Sequence, residues 1–206
     1  MASRFLNIFI FTLFLGLFQS CSSSAINPDG YISYCNDEDN GLIQKREFDA
    51  IIYSLKYEPI EYKAISELTG EHKTITVQNF EKLKKEYNGL LYFVFKIENS
   101  NSEKSPIKSI ARNQEDLSKL TQYCQSDLSK EFYLESGETK IPSVLFHIED
   151  DYSLTNFNLI SLAFDAKDID LSNDIAFVYN DPFFKNGLLK FNISKESIKN
   201  IPKINI

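Results

Sequence analysis

Three sets of residues could carry chemistry. His147 and Glu149 stand two apart in the run Val144 to Asp151, so on a strand they share a face, and an imidazole beside a carboxylate can move protons. Ser143 lacks the GxSxG elbow that would make it a nucleophile, and the chain contains no HExxH, no CxxC and no glycine-rich phosphate cradle. His147 therefore reads as a structural, hydrogen-bonded histidine, and His72, between Glu71 and Lys73, as an exposed one. The second set is Asn36, Glu38, Asn40, Gly41, Ile43 and Glu47, at positions 1, 3, 5, 6, 8 and 12 of a calcium loop. Position 1 lacks its carboxylate, Pro28 and Gly30 make the preceding segment a poor incoming helix, and no second loop is there to pair with it, so an acidic, solvated turn before a strand is the better reading. The aspartates Asp165, Asp168, Asp170, Asp174 and Asp181 read as charged inter-strand turns. No catalytic residue, metal ligand or cofactor is assigned.

The cysteines are the third set. Cys21 follows Arg4 and the apolar run Phe5 to Phe18, and precedes three serines. That run is short for a membrane span, which takes roughly 20 apolar residues, and suits a secretory leader. Ser20-Cys21 at its end resembles the lipobox of bacterial lipoproteins, with Phe18 and Gln19 bulkier than the usual pattern. The resemblance implies cleavage after residue 20 and lipidation of Cys21. An ordinary leader cut near Ser24-Ala25 is the alternative. Cys35 and Cys124 then remain as a candidate disulfide in an oxidising compartment, closing a loop that chain entropy values at about 4–5 kcal/mol. Two buried free thiols fit the same spacing.

Composition narrows the class further. The 206 residues carry a formal charge of −7, which becomes −8 once residues 1–20 leave with Arg4. That acidity argues against nucleic acid as a partner, because no basic surplus exists to neutralise phosphates. With 43% hydrophobic and 14% aromatic residues, the chain can fill a core.

Positioning these residues falls to an expected α+β fold. Residues 1–20 read as the leader, 21–30 as a polar tether and 31–206 as one domain, with the first strand following a polar stretch that ends near Tyr34. Alternation of Ile51, Tyr53, Leu55 and Tyr57 predicts a strand over 48–57. Pro59 opens a short helix, and Val77, Phe80, Leu83 and Tyr87 make one stripe of a helix over 77–87, ended by Asn88-Gly89. Residues 90–98 read as a central strand. Asn113 opens a helix with Leu117, Leu120 and Cys124 on one face. Beyond it, strands over 131–134, 141–148, 159–166, 175–179 and 188–193 predict an antiparallel, sandwich-like half. Asp181-Pro182-Phe183-Phe184 reads as a turn tucked onto that sheet, with an interaction loop as the alternative.

Several phrases together resemble a loose group of Bacteroidota lipoproteins without assigned activity: Asn40-Gly41-Leu42, residues 57–65, 92–98, 136–150 and 161–166, and the closing stretch 181–202. The resemblance implies an outer-membrane lipoprotein held through Cys21. The absence of acidic residues just after Cys21 favours an orientation toward the periplasm over the cell surface. The expected function is a lipid-anchored, non-enzymatic binding or assembly module with a protein partner in the envelope. A lipoprotein hydrolase whose site converges only on folding, and a Ca²⁺-dependent surface protein using residues 36–47, remain as alternatives.

Overall fold

A computed structural model describes residues 25–137, 139–149 and 155–206, with backbone alone at residue 168. The leader and Cys21 lie outside the described residues.

The elements run α1 Pro28–Asn36, β1 Ile43–Phe48, β2 Ile51–Glu58, α2 Ile60–Gly70, α3 Val77–Tyr87, β3 Leu90–Asn99, α4 Pro106–Ser109 and α5 Gln114–Ser126. They continue with β4 Phe132–Ser136, β5 Thr139–Pro142, β6 Leu145–Ile148, β7 Phe157–Asp165, β8 Ile175–Asp181, β9 Gly187–Ile193 and α6 Lys195–Lys199. The strands form two antiparallel sheets, ordered β1-β2-β3-β7-β6 and β5-β4-β8-β9. The α+β, sandwich-like architecture is as expected.

Alternation places the core between the sheets. Tyr53, Leu55, Phe93, Phe95, Ile160, Leu162 and Phe164 face inward from the larger sheet and meet Phe132, Phe177, Tyr179 and Phe191 of the smaller. Phe95 packs against five of these rings, from Tyr53, Phe132, Phe177, Tyr179 and Phe191. Phe132 stacks on Tyr179 with centroids 4.6 Å apart. β3 lies at the centre of its sheet, as its apolar run predicted.

Four local expectations are corrected. Pro28–Gly30, read as tether, is the first turn of α1: the Asn27 side chain caps it by accepting from Gly30 N at 2.8 Å, and Pro28 has no N–H to lose there. The run 141–148 is two strands in different sheets, because Pro142 cannot extend the ladder and the chain crosses at Ser143-Val144. The N-terminal strands are part of the sandwich itself, since β3 pairs with β7 along its length. On α3, which spans 77–87 as expected, Phe80 and Leu83 are buried but Val77 is 61% exposed.

Candidate functional site

No hydrogen bond or ion pair joins His147 to Glu149 among the described residues. His147 is exposed on β6, opposite Ser161 and beside Tyr87 and Tyr92, whereas Glu149 lies at the rim of a different cleft. The structural reading of His147 is corrected too, because it is exposed at a sheet edge, the outermost position of its sheet. His72 is exposed at a φ of 54°.

The segment 36–47 is a helix end, a turn and a strand. Gly41 takes φ 73°, and a Cβ there would run into the Ser197 hydroxyl of α6. Asn36 Oδ1 accepts from Lys56 Nζ at 2.7 Å and from the Tyr62 hydroxyl at 3.2 Å, and Glu38 pairs with Lys45. Strand β1 stands where a calcium loop would send a helix. The later aspartates disperse into separate tasks: Asp165 pairs with Lys167, Asp170 holds Ser172 N and Asn173, and Asp174 accepts from Lys195 N at 3.0 Å. No group of three metal-ligating side chains occurs among the described residues.

Asp181 is different. It is 7% exposed, and its carboxylate accepts from Tyr53 and Tyr179 hydroxyls and from the backbone N–H groups of Phe183, Phe184 and Asn186. Asn186 Nδ2 completes the knot by donating to the Tyr53 oxygen at 2.8 Å. Phe183 and Phe184 pack against the core, so this segment is a tucked turn. Every partner of the carboxylate is a protein group, and the knot is structural.

Cys35 and Cys124 are both free and buried, so the disulfide alternative is not formed. Cys35 lies near Lys56, Glu58 and Glu61, and burial pushes its thiol up to about 12. Cys124 is on α5, where burial pushes the thiol up to about 11. It lines a cleft of about 400 Å³ with Ile107, Leu117, Leu120 and Ile148. The buried amide in that cleft, Asn158, is satisfied: it accepts from Ile107 N at 3.1 Å and donates to Ser105 Oγ at 2.8 Å.

A larger cleft of about 640 Å³ lies where α1, α2 and α3 meet the C-terminal segment. Its walls include Ile60, Leu90, Leu91, Ile198, Ile201 and Ile204, and Glu61, Lys84 and Lys203 add charge. Glu61 and Lys84 form an ion pair at 3.4 Å. Tyr31 and Tyr57 also line the cleft. Tyr31 is 1% exposed, and its hydroxyl is buried without a hydrogen-bond partner. Burial first, then the neighbouring Cys35, Glu61 and Tyr57, hold this phenol well above its ordinary range. Burial, Glu61 and Cys35 push Tyr57 up to about 12. Both rings are therefore neutral hydrogen-bond donors at physiological pH.

The ends of the described chain shape this cleft. Ile26 N donates to Lys203 O at 2.9 Å and Asn205 N donates to Ile26 O at 2.8 Å, a parallel bridge that clasps the Ile204 wall in place. Sequence reasoning missed Tyr31 because it placed the residue in a polar stretch. The signal that could have found it was Asn27-Pro28, a helix cap followed by proline at the first turn.

Compared with protein-family models, curated proteins and solved structures, the chain matches none. No helix among the described residues is long and apolar enough to cross a membrane.

Proposed function

We propose that this protein is a lipid-anchored binding module of the cell envelope, tethered to the outer membrane through Cys21 and facing the periplasm. Support for the anchor comes from the sequence: one positive charge, an apolar run too short to span, and a cysteine followed by serines. Support for binding comes from one observation above all, the larger cleft, where Glu61, Lys84 and Lys203 stand among the apolar walls. Apolar walls with a few convergent polar groups are the usual form of a small-molecule site, and 640 Å³ lies within the usual range of about 300–1,000 Å³.

Two measurements test the reading. Cys21→Ser should release the protein from membranes, and unchanged retention would refute the anchor. Organic extraction of protein purified from its native envelope should yield one stoichiometric small molecule. Ala166→Phe, which adds bulk to the wall of the larger cleft, should abolish its recovery. Equal recovery from both proteins would remove the binding reading.

A further inference from the structure

We infer that the larger cleft takes a carboxylate amphiphile, an aliphatic acid whose head group pairs with Lys203 at the rim while its chain lies between the isoleucine and leucine walls. The inference rests on the binding reading above and adds the chemical class of the ligand.

Charge decides the head group. Three charged side chains line the cleft, Glu61, Lys84 and Lys203. Glu61 and Lys84 answer each other at 3.4 Å, and Lys84 also meets Glu81 at 3.4 Å. Lys203 is exposed, and no carboxylate of the described chain pairs with it. The lining therefore holds one uncompensated charge, a positive one, in a protein whose formal charge is −7. An anionic head gains an ion pair there. A cationic head finds no free carboxylate, because Glu61 is already engaged. A phosphate head would bring more charge than one lysine balances, and the remainder would face Glu61.

The two phenols are consistent with an acceptor and differ in reach. The Tyr31 hydroxyl is sealed from solvent and takes no part in the contact. It is the one buried side-chain polar atom without a partner among the described residues, so the Tyr57 hydroxyl, which also makes no hydrogen bond there, keeps access to solvent. Tyr57 lines the cleft and is held neutral, a donor that favours an oxygen acceptor over a cation.

The fold places the lysine and the walls together. Lys203 O accepts from Ile26 N at 2.9 Å and Asn205 N donates to Ile26 O at 2.8 Å, so the backbone is held on both sides of Ile204. One clasp thus sets the rim charge and the first wall. Ile198, Ile201 and Ile204 line the space with Ile60, Leu90 and Leu91, and each methylene of a chain seated among them leaves water.

Calorimetry on the Cys21→Ser protein in low-salt buffer tests this with decanoate, decanol and decyltrimethylammonium, which share one chain length and differ in head-group charge. Decanoate should bind about fivefold more tightly than decanol, the gain of one partly exposed ion pair, and decyltrimethylammonium should bind most weakly. Lys203→Gln should bring decanoate down to the affinity of decanol and leave decanol unchanged, while Lys203→Arg should keep the preference. The side chain is exposed and unpaired, so neither variant should shift the urea midpoint. Ala166→Phe should abolish decanoate binding. Equal binding of decanoate and decanol, tightest binding of the cation, a preference that survives Lys203→Gln, decanoate binding unaffected by Ala166→Phe, or no binding of any probe would each overturn the inference. If one of these is seen while Ala166→Phe still removes the compound extracted from native envelope, the ligand class is wrong and the binding reading stands. If Ala166→Phe removes nothing from the extract, the binding reading itself falls.

Discussion

The Tyr53 hydroxyl donates a 2.9 Å hydrogen bond to Asp181 across 128 residues of sequence, joining the second strand of one sheet to the last residue of β8 in the other. Five donors of two kinds meet at this carboxylate: two phenols and three backbone N–H groups. The charge is buried but fully served, and the turn Pro182 to Asn186 is held by it. Losing the acceptor strands several buried donors at once, whereas losing one phenol strands fewer.

Asp181→Ala should therefore cost about 3 kcal/mol of folding stability and Tyr53→Phe about 1–2 kcal/mol. A double-mutant cycle in urea should show coupling between them, because the Tyr53 bond is already gone in Asp181→Ala. Additive effects would mean that the two residues are not energetically joined.

Tyr31→Phe should behave in the opposite way. In ligand-free protein the hydroxyl contributes desolvation cost and no bond, so its removal should leave stability unchanged or raise it by about 1 kcal/mol. A loss above about 1 kcal/mol in urea unfolding would show that the hydroxyl has a partner in the folded chain.

Alkaline pH should weaken the fold. A thiol raised by burial holds its proton more tightly folded than unfolded, so its contribution is whole below the ordinary value of 9.0. It is lost as pH rises toward about 11 for Cys124 and about 12 for Cys35. Tyr57, raised to about 12, acts in the same direction from 10.0 upward. The urea midpoint should hold steady from pH 7 to 8.5 and fall above pH 9. Both thiols should resist a disulfide reagent at pH 8 until the protein is unfolded, and rapid native reaction would contradict their burial.

On α3, Phe80→Ala should cost about 3–5 kcal/mol, while Val77→Ala should change stability by less than about 0.5 kcal/mol. Comparable losses at the two sites would restore Val77 to the buried stripe.

Gly41→Ala should destabilise by more than about 1 kcal/mol, because the left-handed φ and the approach of Ser197 act together. Asn40→Ala is a milder neighbour, losing the 3.0 Å bond from Nδ2 to Tyr34 O. If Gly41→Ala proved the milder of the two, the α6 contact would not be constraining the turn.

What the chain declares locally was legible without coordinates. Helix 77–87, the alternation of β2, the apolar run of β3 and the Asn113 cap are each set within a few residues, by side-chain periodicity or one capping bond. The candidate lipid cysteine belongs to the same kind of information, a short linear signal. The tertiary structure alone decided that β3 pairs with β7, that the run 141–148 divides between two sheets, and that Asp181 leaves the acidic set to serve tyrosines. It also decided the cleft, where residue 31 meets residues 198–204. Periodicity tells which face of an element is apolar, but not which distant element covers it. Nor can it tell whether a buried phenol finds an acceptor, since that depends on atoms brought together from opposite ends of the chain.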